Sequence, residues 1–357
     1  MAILLFFINV FLLALATLNF FTLRKPTDST ETSLKVDVLI PVRNEAENIN
    51  ELVLSLQAQV GVPRAKFYFI DDSSTDATAS IITTMTARDS RFKLISAPEL
   101  PTGWIGKTWA LQQGYFAANG EIVVTIDADV RLEKDALVKS INLLQSSNLN
   151  FISPYPKQIA KTFSERLIQP ILQWSWMSTV PLVIAERSSR TSLAVANGQF
   201  FLAKRESLDL VNGFKSNADK VLDDIELARA LIQSGCKGTV VSGSDIATTR
   251  MYTSFTELRA GYGKSLWQAF GGKFGTTVAI AFLFFTGIYP FVLFLNFHPL
   301  GLFALEAVIA ARLISAKASR GSYLDSFLHP FSCALLIYLI FFSWRNRKSA
   351  QWKGRTV

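Results

Sequence analysis

Cysteine and histidine are nearly absent from this chain, two of each in 357 residues. Cys236 and Cys333 lie far apart, and Cys333 sits inside an apolar run, so the sequence offers neither a disulfide framework nor a zinc-ligand spacing. His298 and His329 both flank apolar segments, where satisfied membrane-edge residues are expected rather than catalytic ones. Acid–base chemistry therefore falls to carboxylates. No G-x-G-x-x-G follows the first strand-like run, so a dinucleotide fingerprint is missing. Internal repeats and low-complexity tracts are lacking too.

What the chain has in quantity is apolar residues, 50% of the total, with a mean hydropathy of +0.28. Lys and Arg number 36 against 28 Asp and Glu, a net charge of +8. That balance suits anionic headgroups or phosphate-bearing substrates. The basic residues cluster beside apolar segments rather than along one polar helix, which argues against nucleic acid. The length accommodates one domain of roughly 200–250 residues plus membrane segments.

Residues 3–23 carry no charge and are followed at once by Arg24 and Lys25. With no basic segment ahead of it, this run reads as an uncleaved anchor (1–24) whose far side is cytoplasmic. Residues 25–35 are a polar linker. Strand and helix patterns then alternate: strands at 36–40, 66–70, 92–96 and 122–126, with helices at 44–59, about 74–88 and 107–119. This is the pattern of an α/β parallel sheet. Residues 162–186, with Trp174 and Trp176, read equally as an interfacial helix or an ordinary core helix. Apolar stretches at 276–297, 300–316 and 327–344 make a C-terminal membrane region (271–344). Glu306 and Arg312 are costly at bilayer depth, and the tail (345–357) is basic. Two C-terminal spans are therefore expected, with 300–316 at the far interface and the tail cytoplasmic.

The acids fall where strands end. Asp127 and Asp129 follow the fourth strand, placed to hold a hard divalent cation against a diphosphate leaving group. Asp71 and Asp72 close the second strand, suited to a base or ribose unless they merely cap the next helix. Lys107, beside Gly103 and Gly106 at a helix start, can meet a phosphate or remain a surface lysine. Asp223, Asp224 and Glu226 open another helix; they either complement its dipole or supply a carboxylate base whose pKa an adjacent acid raises.

Taken together and in order, Ile40-Pro41-Val42-Arg43-Asn44-Glu45, Asp71-Asp72-Ser73-Ser74-Thr75-Asp76, Asp127-Ala128-Asp129 and Asp223-Asp224 resemble the motifs of family 2 glycosyltransferases. The likeness covers residues 36 to about 268 and implies a GT-A fold, Rossmann-like with a mostly parallel sheet, spanning 36–270. It implies a nucleotide-sugar site at Pro41, Arg43, Glu45, Asp71, Asp72, Lys107 and Asp127. It further implies Mg²⁺ or Mn²⁺ on Asp127 and Asp129, and a base at Asp224 or Asp223. Trp104-Ile105-Gly106-Lys107-Thr108-Trp109-Ala110 is similar to a segment of hopanoid-associated membrane enzymes. Arg250-Met251-Tyr252, Gly261-Tyr262-Gly263-Lys264 and Trp352-Lys353-Gly354-Arg355 are similar to bacterial carotenoid glycosyltransferases.

The resemblance implies inverting transfer of one sugar from a nucleotide diphosphate, with a UDP-sugar the expected donor. The acceptor expected is a membrane lipid, a carotenoid or related terpenoid, at the cell (inner) membrane. A hopanoid or polyprenyl-phosphate acceptor is the alternative, and an inactive membrane scaffold is the alternative of another class. Gly198, Gln199, Arg250 and Tyr252 are expected on the acceptor side. The Q-x-x-R-W motif of processive synthases is missing, with Thr248-Thr249-Arg250-Met251-Tyr252 near its place, which favours a single transfer. Because a hydroxyl needs a base and an ionised carboxylate does not, the pair Asp223-Asp224 favours a hydroxyl acceptor.

Overall fold

The computed structural model describes residues 2–347, 351–352 and 355–356. Residues 348–350, 353–354 and 357 of the basic tail, Lys353 and Gly354 among them, thus lie outside the described residues. The chain forms two compact units, each assembled from separated segments: 24–157 with 184–249, and 1–23 with 158–183 and 250–357.

The first unit is built on an eight-stranded sheet. Its strands are β1 (Val36–Val42), β2 (Ala65–Asp71), β3 (Phe92–Ser96), β4 (Ile122–Ile126), β5 (Val130–Leu132), β6 (Phe151–Gln158), β7 (Phe200–Lys204) and β8 (Gly238–Thr249). Their order is β3-β2-β1-β4-β7-β6-β8-β5. The four strands read from the sequence pair in parallel, β1 lying between β2 and β4, with β3 outside β2. Beyond β4 the pairing turns antiparallel, β4 to β7, β7 to β6 and β5 to β8, so the sheet is mixed.

Every residue of β1 is buried because helices cover both faces of this half. Alternation sends Val36, Val38 and Ile40 into one core with Ile49, Leu52, Phe67 and Phe69. Leu39 goes to the opposite core with Ile70, Leu111 and Tyr115. Helix Gly106–Ala117 lies so close to the sheet that a Cβ on Gly114 would stand 2.7 Å from Ile70 Cδ1. Pro154 and Pro156 sit inside β6, and β8 carries Gly243 against the Pro154–Tyr155 backbone.

The second unit is helical. Among the described residues four helices are long and apolar enough to cross a membrane: Ala2–Thr22, Lys273–Leu295, Pro299–Ser319 and Tyr323–Asn346. Where two such helices were expected after the catalytic segment, there are three. Pro299–Ser319 is no peripheral helix: Ala304, Leu305, Val308 and Ala311 are buried in the bundle. It runs alongside Ala2–Thr22 in the same direction, with Phe6 against Phe303 and Lys317 over Phe20. Arg312 is buried and donates to the Asp325 carbonyl oxygen at 3.3 Å, while Glu306 stays on the exposed side. The end of the last helix meets the start of Lys273–Leu295, Trp344 Nε1 donating to Thr276 Oγ1 at 3.0 Å.

Residues 158–183 belong to this helical unit, not to the sheet domain expected over 36–270, and so do residues from Arg250 onward. Contiguity in sequence hid this, because the helix Phe163–Thr179 buries its apolar face on chain-terminal helices. Trp174 is fully buried against Phe282 and His329, which makes it a core residue rather than an interfacial anchor. His329 is likewise buried, and only His298 lies at an exposed helix start.

Candidate active site

The carboxyl ends of β1, β2 and β4 carry the candidate residues, where strands stop and loops can converge on a ligand. Val42 and Asp71 are paired across β1 and β2, and Asp72 N–H donates to Val42 O at 2.9 Å. Arg43 Nη1 stands 3.6 Å from the Asp72 carboxylate and donates to the Asp72 carbonyl oxygen. Asp72 is almost wholly buried, so this guanidinium supplies positive charge that a buried carboxylate requires. Asp71 accepts from Ser74 N–H at 3.0 Å and from the Ser74 hydroxyl. The two loops are tied further by Thr75 N–H to Asn44 Oδ1 at 2.8 Å and Glu45 N–H to Thr78 Oγ1 at 2.8 Å. Helix capping is left to Asp76, which accepts from Thr78 N–H and Oγ1. Asp71 and Asp72 therefore shape the loop rather than cap the helix.

After β4 the chain turns sharply, with Val130 N–H donating back to Asp127 O at 3.1 Å. Asp127 N–H donates to Gln199 O at 3.1 Å, which ties the acidic turn to the loop before β7. Asp129 accepts from Thr249 Oγ1 at 3.0 Å, and Thr249 also receives Gln199 Nε2 at 3.2 Å. The helix start at Gly106 is fixed by Ile105 N–H and Thr108 Oγ1, both donating to Ala218 O at 2.8 Å. From that start Lys107 Nζ reaches Asp127 Oδ1 at 2.9 Å and Asp223 Oδ2 at 3.4 Å. Asp224 accepts from Gly198 N–H at 2.7 Å and Ile225 N–H at 2.8 Å.

The charges in this cluster perturb one another. Burial raises the Asp127 pKa to about 7, with repulsion from Asp129 and Asp223 adding to it and Lys107 opposing. Asp129 is raised by burial and by Glu45, against the hydrogen bond from Thr249. Burial and then Asp223 push Asp224 up to about 6, against Lys107 and two backbone N–H groups. Burial disfavours the Lys107 ammonium, but Asp127 and Asp223 outweigh it and hold its pKa above the ordinary lysine value. Carboxylates so crowded are destabilised as anions, and a cation or a proton relieves them.

The donor set fits a hard divalent ion: Asp127 and Asp129 offer carboxylate oxygens at a turn, and Mg²⁺ commonly takes one or two carboxylates plus substrate phosphates. Among the described residues no group of three His, Cys, Asp or Glu is placed to hold an ion unaided.

The structure thus brings together Lys107, Asp127, Gly198, Gln199, Asp223 and Asp224, sets Arg43 beside Asp72, and puts Glu45 within electrostatic reach of Asp129. Pro41 lies in β1, paired with Ile70. Arg250 and Tyr252 belong to the helical unit. There Arg250 pairs with buried Glu165 at 3.0 Å, and Tyr252 packs on Tyr262 with ring centroids 5.5 Å apart. Sequence reading missed Thr249 as the partner of Asp129 and Tyr155, a buried phenol whose pKa is raised by burial and then by Asp224. Thr249 stood just before the Arg250 motif; Tyr155, between two prolines, left no signal.

The model of the family Glycosyl transferase family 2 matches residues 37–211. A 4,4'-diaponeurosporenoate glycosyltransferase of Staphylococcus aureus (strain USA300) is 26% identical, over 89% of this chain and 87% of that protein. Another so named, from Staphylococcus haemolyticus (strain JCSC1435), is 27% identical over 66% of this chain, and the match spans only 62% of that relative. Among solved structures, mannosyltransferase PcManGT from Pyrobaculum calidifontis, in complex with GDP-Man and Mn²⁺, has the same fold. Its TM-score is 0.58 at 20% identity, covering 96% of this chain and 98% of that one. Acidic strand ends, mixed sheet and family match agree: residues 37–211 form a Glycosyl transferase family 2 domain, and the chain is a glycosyltransferase.

Proposed function

We propose that this enzyme transfers a single sugar, with inversion, from a nucleotide-diphosphate sugar to a hydrophobic acceptor dissolved in the membrane. The acceptor class is a carotenoid or related terpenoid. The observation that carries the reading is the cluster of Lys107, Asp127 and Asp223 beside Asp224 at the sheet's carboxyl edge. The name shared by the curated relatives supports the acceptor class.

In this reading Arg43, Glu45, Asp71 and Asp72 frame the nucleoside, with a UDP-sugar the expected donor. Asp127 and Asp129 would hold Mg²⁺ or Mn²⁺; when bound, the ion supplies positive charge to the diphosphate as it leaves. Lys107 sets a further positive charge beside the same phosphates. Asp224, ionised at neutral pH yet raised to about 6, accepts the proton of an attacking hydroxyl. Two backbone N–H groups aim its oxygens, and Asp223 anchors Lys107.

The catalytic unit is proposed to face the cytoplasm from the cell membrane. Arg24 and Lys25 follow the first apolar helix. In the helical unit, the Trp344–Thr276 bond brings Arg345 and Arg347 to the end of the bundle where Lys273 starts its helix. Such a gathering of positive charge fits the cytoplasmic face.

The test is acceptor chemistry. Membranes containing the enzyme and candidate terpenoids receive labelled UDP-glucose or another nucleotide sugar, and the labelled lipid is treated with mild alkali. An alkali-stable terpenoid glycoside is the expected product. An alkali-labile glycosyl ester would reassign the acceptor as a carboxylate, and label in a polyprenyl phosphate would overturn the terpenoid reading.

A further inference from the structure

Among the described residues the acids at this site form no three-ligand metal cage, and an ammonium stands between two of them. Lys107 Nζ lies 2.9 and 3.2 Å from the two oxygens of Asp127 and 3.4 Å from Asp223. The field of Asp224 reaches it as well. Gly198 closes the other side so tightly that a Cβ there would come within 3.3 Å of Nζ and 3.2 Å of Asp224 Cβ. The lysine backbone is pinned, since its helix start is tied to Ala218 O at Ile105 and Thr108. Its four-carbon stem has rotatable bonds, so Nζ can change partners while Cα stays fixed.

We infer that Lys107 is an internal cation that competes with the divalent metal for Asp127 and moves onto the donor diphosphate when metal and nucleotide arrive together. This rests on the donor-and-metal reading above and deepens it. Asp127 and Asp223 contact the ammonium, and the charges of Asp129 and Asp224 act on it from farther off, so the cluster remains net negative and attracts a cation. A metal arriving alone must displace Nζ from Asp127 or share that carboxylate at close range with another positive charge. The diphosphate reverses this penalty, because it offers both cations a common anionic partner. Metal and nucleotide are thereby coupled: each strengthens the other's binding, by the same factor in both directions.

The experiment measures Mn²⁺ affinity by electron paramagnetic resonance on full-length protein in detergent, without and with UDP, for wild type, Lys107→Gln and Lys107→Arg. Melting temperatures in EDTA and in Mn²⁺ are recorded alongside. In Lys107→Gln, Mn²⁺ alone binds about 10-fold more tightly than in wild type, while UDP in the presence of Mn²⁺ binds more weakly. That variant also melts lower than wild type in EDTA and gains more from Mn²⁺. Lys107→Arg, which keeps the charge, retains the wild-type weakness towards Mn²⁺ alone. A lysine with a merely structural role leaves metal affinity unchanged on substitution.

Unchanged or weaker Mn²⁺ binding in a folded Lys107→Gln variant overturns the inference, while Mn²⁺-dependent UDP binding by wild type leaves the donor reading standing. If Lys107→Gln fails to fold, tight Mn²⁺ binding by wild type without UDP, unaffected when UDP is added, overturns it equally. If wild type binds no UDP with Mn²⁺, the donor reading falls and takes this inference with it.

Discussion

Asp224 Oδ2 accepts the backbone N–H of Gly198 at 2.7 Å, although the two residues are 26 positions apart in the chain. This bond holds the carboxylate beside Lys107 and Asp223 and leaves it acidic enough to ionise near neutrality. A base must be unprotonated to act, so kcat/KM rises with pH through about 6 and levels off above it. Asp224→Asn lowers transfer to a hydroxyl acceptor by about 10²–10⁴-fold and removes this limb from the residual rate. Initial rates across the acid range, for both proteins, check the shape and its sign.

Glycine at 198 is required for a spatial reason. An added methyl would stand 3.2 Å from Asp224 Cβ and 3.3 Å from Lys107 Nζ, so both neighbours must give way. Gly198→Ala is expected to lower kcat by roughly 10-fold or more, since small displacements of catalytic groups are costly. Its melting temperature stays close to wild type. Paired kinetics and thermal melts separate this displacement from a folding defect.

Arg43 stands beside the nearly buried Asp72 carboxylate. Removing the guanidinium in Arg43→Ala takes away a charge-bearing donor and leaves the carboxylate less compensated. A loss of about 1–3 kcal/mol in stability is expected, with weaker UDP binding. Arg43→Lys recovers part of the stability, because charge returns without the planar donor geometry. Denaturant melts and UDP titrations test both.

Much of this was legible in the sequence, and the reason is short apolar runs that fold into fully buried strands. The strands at 36, 66 and 122 announce themselves because both faces of that half-sheet are covered, whereas the edge strand at 92 is only partly buried. The antiparallel half was not legible: β6 carries Pro154 and Pro156, and β8 mixes Gly and Ser with its apolar residues. Asp127, Asp129, Asp223 and Asp224 were readable because strand ends and helix starts give acids a known use. Their mutual geometry through Lys107 and Gly198 depends on contacts between distant segments, which no local pattern encodes. The same holds for Phe163–Thr179, whose spacing showed a helix but not which helices it packs on.

The most direct test of the account is sugar transfer into the organic phase. Isolated membranes carrying wild type or Asp129→Ala receive a labelled nucleotide sugar with Mn²⁺, and the lipid extract is counted and chromatographed. The account predicts label in a terpenoid band with wild type, and its loss with Asp129→Ala or when EDTA replaces the metal. Equal labelling by both proteins would contradict the role given to the acidic turn. No organic-phase label with any nucleotide sugar, in membranes known to contain such lipids, would contradict the transferase reading itself.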